Sequence, residues 1–395
     1  MSQKITCQIC GAAVHAVAIH LRDEHPEVSL DAYKRMYPDA PLLSEMARQR
    51  LAEKKAAAAA APESEPLKAE MAESATVTTL RPGAVKKPMH EVFKLGKVKA
   101  ALNGRGEPIP ITVLGNDGFE DMIPDEDTAY VFNIELLKTV LLGLELKIPT
   151  YLWGHAGVGK STVIEQICHY TRRPYMRVQH TANTEEAHIV GQMLANEKGT
   201  YYEPGPLALA MKHGWTYNAD EYDYASPSVL AVYQAVLEGK PLVIKEAPPE
   251  WRVVRPHENF RFLATGNTNG AGDDTGLYLG TNLGNAANYS RFGITEHVPY
   301  MQKNMEVAVI SNQAGIVKED AEKLVEFAQA VRKSFDGGKM ASTIGPRELI
   351  YAAKLGLRRG SWTVGLQLAF INRLNKVDRE TAEGVAQRIF STVGA

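Results

Sequence analysis

The run "GHAGVGKS", Gly154 to Ser161, constrains this chain more than any other stretch. Its glycines allow consecutive backbone N–H groups to turn inward onto an anion. Ahead of it "IPTYLW" reads as a short buried strand, and behind it "KSTVIEQICHY" reads as a helix. A strand, this loop and a helix in that order match the G-x-x-x-x-G-K-[ST] phosphate loop. The candidate nucleotide contacts are Gly154, His155, Ala156, Gly157, Val158, Gly159, Lys160, Ser161 and Thr162. Lys160 is placed to reach the β and γ phosphates of ATP, and Ser161 offers its hydroxyl to Mg²⁺. The helix N-terminus faces the same anion.

A phosphate loop needs an acidic element to hold the magnesium and poise water. "WTYNADEYD" supplies one at the end of a strand: Asp220 to support Mg²⁺ and Glu221 to polarise the attacking water. "FRFLATGNT" is a further apolar strand, and its C-terminal end carries Asn267, an amide able to orient that water or touch the γ phosphate. In open parallel sheets, ligands collect at the carboxyl ends of strands, which is where all three elements point.

Strand patterns at 148–153, 175–179, 215–219 and 260–266 alternate with helical ones from about residue 130, which predicts an α/β fold with a parallel sheet covered on both faces. The helix before the phosphate loop is expected to bury Ile134, Leu136, Leu137, Val140, Leu141 and Leu144. After about 304 only helical patterns remain, which predicts an all-helical lid. The alanine run could extend a helix from "SEMARQRLAEKK", but the Pro, Ser, Thr and Glu mixture that follows has too few large apolar residues to bury and reads as a tether. The expected divisions are a head over 1–50, a linker over 51–88, an α/β core over 89–303 and a lid over 304–395.

With 45% apolar and 23% charged residues and a net charge of −2, the chain has no overall attraction to nucleic acid or an anionic membrane. No apolar run is long enough to span a bilayer, and the N-terminus lacks the pattern of a signal peptide, so a cytoplasmic location is expected. Cys168 lies alone in a helical pattern and is expected to be a buried small hydrophobe.

"GHAGVGKS", "ADEYD", "FLATGNTNGAGDDTGLYLGT", "YSRF" and "GPRELI", in that order, resemble AAA+ ATPases of the MoxR group, and within it the CobS-like branch of cobaltochelatase ATPase subunits. The resemblance covers about residues 130–360. It implies a sensor 1 role for Asn267, an arginine finger at Arg291 reaching a neighbouring subunit's ATP, and a sensor 2 role for Arg347. A finger acting in trans implies a ring, in this family typically a hexamer, whose hydrolysis waits for assembly. "GQMLANEKGTYYEPGPLALA" and "PLVIKEAPPEWRVV" match the helix 2 insert and the hairpin before sensor 1, which in this group usually face the pore or the substrate. Plain surface hairpins are the alternative. The resemblance also implies a partner carrying a von Willebrand A domain, as for the CobT-like subunit, with cobalt insertion one outcome.

The head holds Cys7, Cys10, His20 and His25 in a C-x₂-C-x₉-H-x₄-H arrangement. Two thiolates and two imidazoles suit tetrahedral Zn²⁺. Pro26 biases His25 out of helical geometry, so that it can turn back to the metal; His15 is the alternative ligand but reads as a spectator, because the loop from Cys10 would be tight. With "VSLDAYKRMYP" following, the stretch is similar to the Ros/MucR type of zinc finger, known for binding DNA. Residues 1–55 carry eight Lys and Arg against seven Asp and Glu, a balance that gives little attraction to phosphate backbones. The head therefore either docks a protein or contacts DNA.

The leading expectation is a ring-forming, Mg-ATP-dependent ATPase that remodels a partner protein. Its alternative is a DNA-binding finger protein whose assembly is switched by nucleotide, and a GTP-using relative is a third reading. Asp273 and Asp274 have no assigned role beyond a subunit or partner contact.

Overall fold

The computed structural model describes residues 4–25, 28, 30–38, 40–42, 44–46, 83–96, 98–115, 118–197, 199–273 and 275–390. Pro26, Asp274 and the expected tether over 51–82 lie outside them. The chain divides into two compact units, Met1–Thr78 and Thr79–Ala395. The end of the expected linker belongs to the second unit instead. Val85–Pro88 is a strand paired antiparallel with Pro110–Val113, which moves the start of the α/β region ahead of residue 89. Met89 and Ile111 bury their side chains there, while Lys86 and Lys87 are exposed and Pro88 is half-buried.

The second unit is built on a five-stranded sheet. Its strands are β1 (Thr150–Trp153), β2 (Tyr175–Gln179), β3 (Thr216–Asp220), β4 (Arg261–Gly266) and β5 (Ile294–His297), in the order β5-β1-β4-β3-β2. Every pairing is parallel. Strand alternation divides the side chains between two apolar layers. Tyr151, Tyr217, Ala219, Phe262 and Ala264 pack on one face, while Leu152 and Leu263 pack on the other. The second layer is filled by α1 (Ile134–Leu146) and α2 (Lys160–Tyr170), the first by α3 (Pro206–His213) and the segments after β3. Asn133 caps α1 by accepting the N–H groups of Glu135 and Leu136.

The sequence pattern misses β5. "ITEH" is short, alternates half-buried with exposed residues and pairs on one side only, so no apolar run marks it. It also misses α4 (Lys303–Ala314), the first helix of the lid, whose buried set includes the charged Glu306. The other lid helices, α5 (Lys318–Asp336), α6 (Pro346–Arg359), α7 (Trp362–Ala369) and α8 (Lys376–Phe390), fall on the expected patterns. They enclose their own core around Leu324, Phe327, Val331, Leu349 and Phe370. The lid core also holds an ion pair: Arg332 donates through both terminal nitrogens to Glu306, at 2.8 and 2.7 Å. Glu306 is fully buried.

Both expected hairpins form. Gly191–Asn196 pairs with Gly199–Pro204, and Leu242–Val243 pairs with Val253–Val254 around a short helix, Pro249–Arg252. Among the described residues no helix is long and apolar enough to cross a membrane.

Within the first unit, Ile5–Thr6 pairs antiparallel with Ala13–Val14, and the helices Val17–Glu24 and Leu30–Met36 follow. Cys7, Val17, Leu21 and Tyr33 form its small core. Among the described residues these four are the only buried apolar side chains there, a small core that suits a domain stapled by something other than apolar burial.

Candidate functional site

The carboxyl ends of β1, β3 and β4 meet the lid around a cleft of about 400 Å³. Ala156, Gly157, Gly159, Lys160, Ser161, Thr162, Asp220, Glu221, Asn267 and Arg347 all line it. Gly154, His155 and Val158 belong to the same loop without lining the cleft, and Arg291 lies outside the lining. The loop's shape requires glycine at Gly154, where a Cβ would collide with the Val298 carbonyl oxygen, and at two further positions. Gly157 has φ +80°, and a Cβ there would approach Arg347 Cβ to 3.2 Å, so the loop passes closely under the lid. Gly159, at φ +93°, turns the chain into α2, with its hydrogen side open to the cleft.

The Lys160 ammonium donates to the Gly154 and His155 carbonyls at 2.7 and 2.9 Å and to Asn267 Oδ1 at 3.2 Å. Burial pushes its pKa down to about 8, against the opposing charges of Asp223, Asp220 and Glu221. Ser161 Oγ donates to Asp220 Oδ1 at 2.6 Å, bringing a hydroxyl and a carboxylate together at the foot of α2. Burial alone would raise the Asp220 pKa, but hydrogen bonds from Ser161 and Thr265 and the Arg177 charge hold it below the usual carboxylate range. Arg177 Nε donates to Asp220 Oδ2 at 2.8 Å. A hydroxyl beside an ionised carboxylate is a donor set that fits Mg²⁺, which would find both oxygens on the α2 side of β3.

Glu221 follows β3 with φ +53°, a backbone setting that non-glycine residues rarely adopt. The turn redirects its side chain into the cleft, where Gln179 donates to Glu221 Oε2 at 2.9 Å. Asn267 is held by Asp223, whose Oδ2 accepts the backbone N–H groups of Asn267 and Thr268, each at 2.8 Å, and the Thr268 hydroxyl at 3.0 Å. Arg291 Nε donates to Glu238 Oε1 at 2.7 Å, and the guanidinium also donates to the Ala287 carbonyl.

Residue patterns missed Arg177, Asp223 and Thr265. Asp223 had a signal, an acid three residues past Asp220 in the same turn; Arg177 and Thr265 had none, because each reaches Asp220 only through the register of neighbouring strands. Cys168 is fully buried, and burial pushes its thiol up to about 12, which leaves it an inert hydrophobe.

In the first unit, the ligand atoms of Cys7, Cys10, His20 and His25 lie within 4.8 Å of one another. Cys10 Sγ and His20 Nε2 are 3.0 Å apart. Burial works to raise the Cys7 pKa, but the backbone N–H groups of Cys10 and Ile9 outweigh it and favour the thiolate. His25 leaves the helix at φ −136° and ψ 57°, which returns its ring toward His20, with ring centroids 5.3 Å apart. His15 Nδ1 is 3.0 Å from Ser44 Oγ and stands outside the cluster.

Comparison with known proteins agrees with this architecture. Residues 149–292 match the AAA domain of the dynein-related subfamily, and residues 306–390 match the CbbQ/NirQ/NorQ C-terminal domain. The chain is 31% identical over 279 residues to the aerobic cobaltochelatase subunit CobS of Sinorhizobium sp, covering 68% of this chain and 83% of that protein. It is 24% identical over 225 residues to the protein CbbQ of Hydrogenophilus thermoluteolus, covering 57% of this chain and 80% of that one. It is 28% identical over 189 residues to the von Willebrand factor A domain-containing protein 8 of Mus musculus, covering 45% of this chain and 9% of that one. With its phosphate loop, parallel sheet and helical lid, the chain belongs to the AAA+ ATPases of the MoxR, CobS and CbbQ type.

Proposed function

We propose that this chain hydrolyses Mg-ATP as a subunit of a ring and uses the cycle to remodel a partner protein. The observation that carries the reading is convergence: Lys160, Ser161, Asp220, Glu221, Asn267 and Arg347 line one cleft, drawn from three strand ends and the lid. In this reading Lys160 binds the β and γ phosphates, and Ser161 and Asp220 hold Mg²⁺, which neutralises charge on the phosphates. Glu221 polarises the attacking water, Asn267 orients it, and Arg347 contacts the γ phosphate from the lid. Arg291, outside its own cleft, serves the neighbouring subunit. A delocalised guanidinium supplied in trans makes hydrolysis depend on assembly.

The partner in this reading carries a von Willebrand A domain, a proposal supported by the CobS likeness and by the von Willebrand factor A relative. The two exposed hairpins are its contact surface: Met193 and Tyr201 on one, Val243 and Val253 on the other, are all exposed large apolar side chains. The Cys7, Cys10, His20 and His25 cluster binds Zn²⁺ and gives the head its fold. The near balance of charge there favours a protein contact over DNA.

The test is capture with the Glu221→Gln variant loaded with ATP, which should hold the assembled ring on its client. Recovery of a von Willebrand A protein supports the reading. Deletion of residues 1–78, the first compact unit, should leave turnover and assembly intact, whereas turnover that vanishes with the head, together with DNA binding by the full chain, points to the finger-protein alternative.

A further inference from the structure

The loop between β4 and Arg291 contains the two acids without an assigned role, and its contacts lead to the phosphate loop. Its neck is closed by the Gly284 N–H donating to the Gly270 carbonyl at 2.8 Å. Asn282 fixes its far side, donating from its side chain to the Tyr224 and Ala225 carbonyls at 3.0 and 3.2 Å. Inside the loop, Asp273 Oδ1 accepts the Thr275 N–H at 2.9 Å and the Thr275 hydroxyl at 2.6 Å, and Oδ2 accepts the Tyr278 N–H. The turn held by Asp273 therefore fixes where Tyr278 starts. The Tyr278 hydroxyl accepts the Ala156 N–H at 2.9 Å and lies 3.1 Å from His155 Nδ1.

One peptide unit is gripped from both ends. The carbonyl of the His155–Ala156 peptide accepts from Lys160 Nζ at 2.9 Å, and its N–H donates to Tyr278. The His155 ring is held in turn by stacking on Tyr300, with centroids 5.1 Å apart and planes 10° from parallel. A phosphate that attracts the Lys160 ammonium weakens the grip on the carbonyl. The Tyr278 bond is then the remaining hydrogen bond that keeps this peptide from rotating and disturbing the N–H groups that follow it.

We propose that Tyr278 is a positioning residue for nucleotide binding, clamping the entry peptide of the phosphate loop, and that Asp273 holds Tyr278 in place. The proposal rests on the ATPase reading above. Both ring groups suit the role: burial keeps the Tyr278 phenol protonated and pushes the His155 pKa down, so two neutral groups share this contact while the phenol accepts from Ala156. Loss of one such bond corresponds to roughly three- to tenfold in affinity.

The test compares the full chain with Tyr278→Phe and Asp273→Ala, measuring the Kd for a fluorescent ATP analogue, kcat and KM for ATP, and the melting temperature. Tyr278→Phe keeps the ring and removes only the hydroxyl. It should raise Kd and KM about three- to tenfold, with kcat changed less than twofold and melting unchanged. Asp273→Ala should raise Kd similarly, and should add little once Tyr278 is Phe, because both act through one contact. An unchanged Kd in Tyr278→Phe overturns the proposal alone, as does additivity of the two substitutions or a loss confined to kcat. A parent protein that binds no ATP overturns the ATPase reading and this proposal with it.

Discussion

Asp223 Oδ2 accepts the backbone N–H of Asn267 at 2.8 Å, so the acid after β3 sets the position of the amide after β4. Asp223 is almost fully buried, and burial pushes its pKa up against the hydrogen bonds from Thr268 and Asn267 that favour the charged form. Replacement of Asp223 by Ala would leave the N–H groups of Asn267 and Thr268 without their acceptor. The expected outcome is a loss of about 2–4 kcal/mol in stability, together with a fall in kcat as Asn267 shifts. Urea unfolding and steady-state turnover of Asp223→Ala and Asp223→Asn would check this. Equal kcat in both variants and the parent would remove the link between Asp223 and Asn267.

Glu221→Gln should bind ATP with near-parental affinity and lose turnover by about a hundredfold or more, since an amide cannot polarise water as a base. Arg291→Ala should also retain nucleotide and lose turnover. Mixing the two should restore part of the activity, because a wild-type Arg291 from one subunit then meets a wild-type Glu221 in the next. If mixtures stay as inactive as each variant alone, the finger does not act in trans.

The depressed pKa of Lys160, about 8, predicts a pH dependence of binding. Below pH 8 the ammonium is charged and available to phosphate; as pH rises through 8 it deprotonates and affinity falls. Bound phosphates favour the charged form, so binding above pH 8 takes up a proton. Titration calorimetry from pH 7 to 9.5 should show affinity falling by up to about tenfold per pH unit above 8, and Lys160→Ala should bind weakly with no such slope. A flat profile in the parent would mean that Lys160 stays charged throughout.

The buried pair of Glu306 and Arg332 should resist single substitutions. Glu306→Ala strands a charged guanidinium that also donates to the Ile344 carbonyl at 2.9 Å, and should destabilise the lid by about 3–5 kcal/mol. Replacing both residues with apolar ones of similar size should recover much of that loss. Thermal unfolding of the single and double variants would separate the two cases.

Metal analysis of the purified chain should give one zinc per chain, and Cys7→Ser should abolish it. Chelation should unfold the head, read by loss of protection of its amides, while ATP turnover persists. Zinc content unchanged in Cys7→Ser would exclude this cluster as the site.

Much of the α/β unit was legible because its signals are local. The phosphate loop lies within eight residues, and β1, α2 and the lid helices α5 to α8 each carry their pattern within one element. Asp220 and Glu221 could be picked out because an acidic pair ends a strand, even though Thr216 and Asn218 make that strand more polar than usual. Arg177, Asp223, Tyr278 and the Glu306–Arg332 pair could not be given roles that way. Tyr278 meets Ala156 across 122 residues, and Arg177 meets Asp220 across 43. Such partners are chosen by the strand order β5-β1-β4-β3-β2 and by the docking of the lid. A sequence on its own specifies which groups are available and which local turns they favour. The burial that turns a distant carboxylate or phenol into a fixed acceptor comes only from packing the layers together, and there tertiary structure decided what the site is made of.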